Sequence, residues 1–276
     1  MPRLTPLPPV ADCQVWLIDL DTELSSDELD ALSPDEQARA SRFVFARHRA
    51  RFAAGRSALR CMLARRIGRP ARELHIQEGP HGKPFLAQAP QLQFNLSHSD
   101  GVGLLALANP QATNCTQAVG IDVELMRPVS DALALGQSNF DPHERAALAG
   151  LPDSARDRAF LVGWTRKEAC LKAHGSGFSG AVIPPTGLEL EARAVRWNDP
   201  QDRASYKASV ISFELAEVGA IVSVARLLGA RLRGGGSPLS EAQARRPSSS
   251  VRPSATWSGV SIHFDEGELL NRLRLA

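Results

Sequence analysis

Asp122, Glu124, Glu168 and Lys172 are the residues whose types and spacing bear most directly on chemistry. The stretch VGIDVEL (Val119 to Leu125) alternates Val119, Ile121, Val123 and Leu125 with Gly120, Asp122 and Glu124. Period 2 predicts a strand that sends the two sets to opposite faces, so Asp122 and Glu124 point the same way. Two carboxylates that close repel one another unless a cation lies between them or one is protonated. A hard cation that takes oxygen ligands, Mg²⁺ before Ca²⁺ or Zn²⁺, relieves the repulsion. Taken alone, the strand reads equally as an amphipathic strand with a wet acidic face.

Some forty residues later, WTRKEACLK (Trp164 to Lys172) lies in a predicted helix from Phe160 to Ala173, ended by Gly175 and Gly177. Trp164, Glu168 and Lys172 fall at i, i+4 and i+8, on one face. Leu161 and Leu171 flank that face, which turns it inward. A surface Glu-to-Lys pair is the plain alternative, but such a pair needs neither a tryptophan nor two leucines beside it. Three acids and a lysine on rigid elements point to magnesium-assisted chemistry on a phosphate ester.

Only four of the 32 basic residues are lysines, Lys83, Lys167, Lys172 and Lys207. Three of them lie in segments singled out on other grounds. An ammonium is a compact point charge and a guanidinium a planar fork, so a site touching one phosphate oxygen can distinguish them.

The elements that must position these residues follow from patterning. Val15 to Leu20 predicts a first strand and Asp27 to Leu32 a short helix. Ser33-Pro34-Asp35-Glu36 reads as an N-cap. Helices are predicted over 35–46 and 47–67. In the second, Phe52, Leu59, Leu63 and Ile67 mark the apolar face and Arg49, Arg56 and Arg60 another. Gln93 to Leu96 predicts a strand, SHSDG (Ser97 to Gly101) a turn, and Val102 to Ala108 the returning strand. A helix near Pro142 to Ala149 precedes the motif helix. Gly187 to Ala194, Ser205 to Leu215 and Ala220 to Arg226 read as strands after it. The tail after Gly229, rich in Gly, Ser, Pro and Arg, is expected to be disordered.

The net charge of +2 hides a local asymmetry. From Arg39 to Arg72 there are eleven arginines, one histidine and no acid. The cluster reads as a solvated face or as a site for a compact polyphosphate, whose oxygens suit arginine forks. A nucleic-acid surface is less apt, because Phe43, Phe45 and Phe52 are expected in the core. Hydrophobic content of 43% is that of a soluble globular protein, and no apolar run reaches the length of a membrane span. The start MPRLTPLPPV has no signal-peptide core, which argues for a cytoplasmic protein. Cys13, Cys61, Cys115 and Cys170 are isolated and read as reduced thiols. Ser97 and His98 do not make a hydrolase pair: neighbours on an extended chain point apart, and no GxSxG elbow occurs.

The order GKP (Gly82 to Pro84), FNLSHSDG (Phe94 to Gly101), VGIDVE and WTRKEACLKAHGSG (Trp164 to Gly177) resembles the 4′-phosphopantetheinyl transferases, most closely the long-chain type that activates peptide and polyketide synthetases. The likeness spans about residues 33–230. It implies an α+β fold of two similar halves related by a pseudo-twofold axis, 1–115 and 116–230, with coenzyme A in the cleft between them and 231–276 as a tail. It implies that Asp122, Glu124 and Glu168 hold Mg²⁺, that Lys172 contacts the coenzyme A phosphates, and that Glu168, or a water it positions, is the base for a serine hydroxyl. Lys83, Ser97 and His98 match positions that hold the nucleotide end. Arg51 matches an arginine with the same duty, and Arg39 falls where the family has a basic residue. Glu144 matches a family acid of unassigned role. Glu36 stands where some relatives carry a second lysine, a contact that Arg47 or Arg49 could replace. The implied partner is an acyl or peptidyl carrier protein, the implied protein a monomer with neither nucleic-acid nor membrane partner.

Two other readings stay open. A magnesium-dependent nuclease or phosphoesterase also uses clustered acids with a lysine, although many nucleases place that lysine where this chain has Met126. A non-catalytic coenzyme A or carrier-protein binding module is expected to lack one of the three acids or Lys172.

Overall fold

The apolar runs along Cys13–Asp19 and Val102–Ala108, the second buried on both faces, build the first of two four-stranded antiparallel sheets. The computed structural model describes residues 3–109, 117–177, 184–199 and 204–232. In chain order the N-terminal part contains β1 (Arg3–Val10), β2 (Cys13–Asp19), α1 (Ser26–Asp30), α2 (Pro34–Ser41), α3 (Ala46–Ile67), β3 (Ile76–Glu78), β4 (Pro84–Leu86), β5 (Phe94–Ser99) and β6 (Val102–Ala108). The C-terminal part contains β7 (Val119–Leu125), α4 (Ala132–Asn139), α5 (Pro142–Ala149), α6 (Asp153–His174), β8 (Arg193–Asp199), β9 (Ala204–Leu215) and β10 (Ala220–Leu232).

The two halves follow one plan. The first sheet has the order β1-β2-β6-β5 and the second β7-β10-β9-β8. Each carries a 22-residue helix, α3 on the first and α6 on the second. Ile18, Leu20, Ala58, Leu59, Leu63 and Leu105 form the core between α3 and its sheet. Val15, Leu104, Ala106, Val119, Ile121 and Val224 form the core between the sheets. Ala169, Cys170 and Ala173 of α6 pack on Val210 and Ala225 of the second sheet. An α+β chain of two similar halves, expected from the resemblance, is what the fold shows.

Several local expectations change. The segment MPRLTPLPPV contributes a strand that periodicity missed: β1 pairs only with β2, and an edge strand tolerates Pro6, Pro8 and Pro9 because one row of its amides needs no partner. The predicted turn over Ser97 to Gly101 shrinks to Asp100 and Gly101, because Ser97 to Ser99 continue β5. Asp100 has φ 52, a left-handed conformation that aspartate tolerates better than most residues. No strand forms over Gly187 to Ala192; β8 starts at Arg193. Helix α4 was not predicted, and α6 begins seven residues earlier than expected.

The arginine region is also less uniform than its composition. Arg60 is 2% exposed and donates to Glu36 Oε2 at 2.5 Å and to the carbonyls of Ala71 and Leu74, so it is a core strut and not part of a polar face. Glu36 caps α2 through Ser33 and also receives Arg56. Of the three phenylalanines expected in the core, Phe52 is buried and Phe43 half-buried, but Phe45, the residue that precedes α3, is 65% exposed.

Arg231 and Leu232, assigned to the tail, end β10, and the remainder of that tail lies outside the described residues, as do Cys115 and the boundary near residue 115. Among the described residues no helix is long and apolar enough to cross a membrane.

Candidate active site on the seam between the halves

β7 is an edge strand of its sheet: its backbone pairs with β10 on one side only. Side chains of β5, from the other half, take the place of a second neighbour. Asn95 Oδ1 accepts from Ile121 N at 2.8 Å, and Ser99 Oγ accepts from Leu125 N at 3.2 Å. Asn95, Ser97 and Ser99 recur at every second residue, the same period at which an edge strand presents its free amides. This alternation of small polar residues was a legible signal for the seam, but the turn expected over Ser97 to Gly101 hid it.

Asp122 and Glu124 share a face of β7, as the strand pattern predicts, but that face is not wet. It packs toward α6, and the two residues are 2% and 9% exposed. Lys172 of α6 donates to Asp122 Oδ1 at 2.6 Å and to Ser97 Oγ at 3.0 Å, and Ser97 in turn donates to Asp122 at 2.9 Å. Ser99 Oγ lies 3.1 Å and Arg127 Nη1 3.2 Å from Glu124 Oε2. Burial pushes the Asp122 carboxyl up against the pull of Lys172. Burial, and then the neighbouring Asp122 charge, push Glu124 up to about 7. Lys172 loses from burial, but the charges of Asp122, Glu168 and Glu124 more than restore it and hold its ammonium above the usual lysine range. Glu168 is half-buried on the same face of α6. All three acids therefore act on one cation.

The donor set suits a hard divalent cation. It consists of carboxylate oxygens, Asp122 Oδ2 is buried without a hydrogen-bond partner, and the two strand acids are held toward their neutral forms in the absence of further positive charge. Among the described residues no three Asp, Glu, His or Cys side chains are already gathered into a metal-holding group. Lys172 instead occupies one oxygen of Asp122.

The other residues of the WTRKE run point elsewhere. Trp164 is buried and stacks on Phe160. Thr165 Oγ1 meets Ser223 Oγ at 2.8 Å. Arg166, fully buried, donates to the carbonyls of Thr186, Glu189 and Glu191. Lys167, also fully buried, donates to Glu144 Oε2 at 2.5 Å and to Pro184 O at 2.8 Å. Glu144 completes the capping box of α5 with Asp141 and accepts from Gly187 N at 2.7 Å. Glu144 and Lys167 thus tie α5, α6 and residues 184–187 together, apart from the Asp122–Lys172 cluster between β7 and α6.

The residues matched to the nucleotide end are dispersed. Ser97 belongs to the Asp122–Lys172 cluster. His98 is half-buried on the opposite face of β5, as adjacent strand residues must be. Arg51 forks onto Asp21 at 2.6 and 2.9 Å and reaches Asp100 at 3.1 Å, beside the β5–β6 turn. Arg39 lies over the Phe52 ring at 5.2 Å and 3.8 Å from Glu78. Lys83 Nζ donates to Val119 O and Ala173 O. Asn95, Ser99, Arg127 and Gly120 are site neighbours that sequence reasoning did not single out. Gly120 matters because a Cβ there would lie 2.0 Å from Ala169 O, so only glycine lets β7 lie backbone-to-backbone on α6.

Known proteins resemble this chain in sequence. Residues 118–219 match the model of the 4′-phosphopantetheinyl transferase superfamily, and residues 22–110 match that of the 4′-phosphopantetheinyl transferase N-terminal region. The chain is 40% identical over 173 residues to the 4′-phosphopantetheinyl transferase HetI of Nostoc sp., covering 61% of this chain and 70% of that protein. This chain belongs to the 4′-phosphopantetheinyl transferases. A putative 4′-phosphopantetheinyl transferase of Synechocystis sp. is 35% identical to it, with 63% of this chain and 71% of the relative covered. The transferase Sfp of Bacillus subtilis is 25% identical, with 60% and 72% covered. The boundary between the two family models falls between residues 110 and 118, where the two sheets meet in the chain.

Proposed function

We propose that this transferase moves the 4′-phosphopantetheine group of coenzyme A onto a serine hydroxyl of an apo acyl or peptidyl carrier protein and releases 3′,5′-ADP. The observation that carries the reading is the convergence of Asp122, Glu124 and Glu168 on Lys172 at the seam between the halves. Both halves of one chain supply the cluster, through Ser97 on one side and Asp122 and Lys172 on the other, so a monomer suffices.

The serine oxygen attacks the phosphorus bonded to pantetheine. The bond from that phosphorus to the bridging oxygen breaks, and 3′,5′-ADP leaves with the electron pair. Glu168, the most open of the three acids, takes the serine proton. Lys172 is placed to neutralise charge on the phosphates as that bond breaks, the main contribution a protein makes to such transfers. Asp122, Glu124 and Glu168 would hold Mg²⁺, which when bound supplies positive charge to the same phosphates. Arg51, Arg39 and His98, on the N-terminal half, would receive the nucleotide end.

Intact-mass analysis of apo carriers incubated with the protein, coenzyme A and Mg²⁺ tests the reading. A phosphopantetheine mass gain is expected, abolished by EDTA and by Glu168→Gln. Absence of a gain on every carrier, with coenzyme A still bound, would leave a binding module and overturn the enzymatic reading.

A further inference from the structure

Lys83 reaches across the seam into the C-terminal half. Its Nζ donates to Val119 O at 3.1 Å and to Ala173 O at 2.7 Å. Val119 opens the strand that carries Asp122 and Glu124, and Ala173 follows Lys172 in α6. The Ala173 carbonyl is one of the last four of its helix, which have no partner within the helix. The lysine stem lies over Gly175, the left-handed cap of α6 (φ 87), where a Cβ would sit 3.2 Å from Lys83 Cδ. Next to it, Gly120 lets the two backbones touch: a Cβ there would be 2.4 Å from Ala173 N.

We propose that Lys83 is a positioning residue, whose amine ties the start of β7 to the end of α6 and so sets the spacing between Asp122 and the Glu168–Lys172 face. The role rests on the transfer reaction proposed above but differs from a contact with the coenzyme A phosphates. A phosphate contact requires a charged ammonium directed at the ligand. Here two donors are directed at two carbonyls, which a neutral amine with two N–H groups satisfies completely. Burial pushes the amine down to about 7, in keeping with that use.

The test is Lys83→Met, which keeps the stem and removes both donors. Transfer kinetics and calorimetric affinities for coenzyme A and 3′-dephospho-coenzyme A are measured for both proteins. The expected result is a fall in kcat of about tenfold, as for a slightly misplaced site, with coenzyme A affinity unchanged within about twofold. A weaker coenzyme A affinity with a smaller preference over the dephospho form would identify a phosphate contact and overturn the proposal, as would unchanged kinetics. If the variant does not fold, ¹³Cε-lysine NMR of the wild-type protein decides, since the chain has only four lysines. A Lys83 midpoint near 7 with and without coenzyme A supports positioning, whereas a midpoint that coenzyme A raises toward that of free lysine overturns it. Failure of the wild-type protein to transfer at all would refute the proposed function instead.

Discussion

Lys172 places its ammonium 2.6 Å from one oxygen of Asp122, while the other oxygen of that carboxylate is buried without a hydrogen-bond partner. One oxygen of the carboxylate is thus paired with an ammonium, and the other is left with no donor. Asp122→Asn keeps the shape and removes the charge. Transfer should fall by ~10²–10³-fold, the loss typical of removing one electrostatic contact to a transition state. Far-ultraviolet circular dichroism should be unchanged. Activity within threefold of wild type would show that Asp122 has no part in the chemistry.

Lys167 presents the contrasting case of a lysine in the same motif with a purely architectural environment. Replacing it with Met leaves Glu144 buried beside Gly187 with no counter-charge. Breaking a buried pair in this way costs about 3–5 kcal/mol. Urea unfolding should register that loss, and Glu144→Ala should cost a similar amount. If Lys167→Met retains wild-type stability, the pair does not hold α5 and α6 together.

Gly120→Ala tests the backbone contact between β7 and α6. A methyl group would sit 2.0 Å from Ala169 O and 2.4 Å from Ala173 N, and both are backbone atoms that cannot rotate away. The strand must move off the helix and carry Asp122 and Glu124 with it. Stability should fall by about 2–3 kcal/mol, the upper part of the usual cost of overpacking, and transfer should fall with it. Normal thermal stability and rate would mean that the two elements separate at little cost.

The sign of the Lys83 effect on stability is fixed by its depressed pKa. In the unfolded chain the amine titrates near 10.5 and in the folded protein near 7. Between these values the unfolded state binds more protons, so raising pH favours folding, by up to about 1.4 kcal/mol per pH unit. Below pH 7 both states are protonated and the dependence disappears. Denaturation from pH 7 to pH 9.5 should show the wild-type protein gaining on Lys83→Met. Parallel curves would mean that the amine stays charged in the folded state.

The acidic strand and the motif helix were legible because each carries its own period. Val119 to Leu125 alternates strictly and forms β7 over those residues, and Trp164, Glu168 and Lys172 recur every four residues along α6. The wording of the motifs was enough to indicate the family. Capping chemistry was equally local: Pro142 to Ala149 forms α5 behind its Asp141 cap, as predicted near that position.

What the sequence could not give was the direction in which each charged side chain finds a partner. Lys167 and Lys172 have the same composition and neighbouring positions, yet one is buried on Glu144 and the other faces Asp122 and Ser97. Arg60 looks like any other residue of an arginine-rich helix until Glu36 and two carbonyls close around it. Nothing local to GKP announces that Lys83 Nζ donates to the carbonyls of Val119 and Ala173 in the other half. Helix and strand periods depend on neighbours within a few residues, so the chain specifies them locally. The environment of a charge depends on groups that are 11 to 90 residues away in sequence, and only tertiary folding, within one half for Arg60 and Lys167 and across the seam for Lys83, brings them within a hydrogen bond.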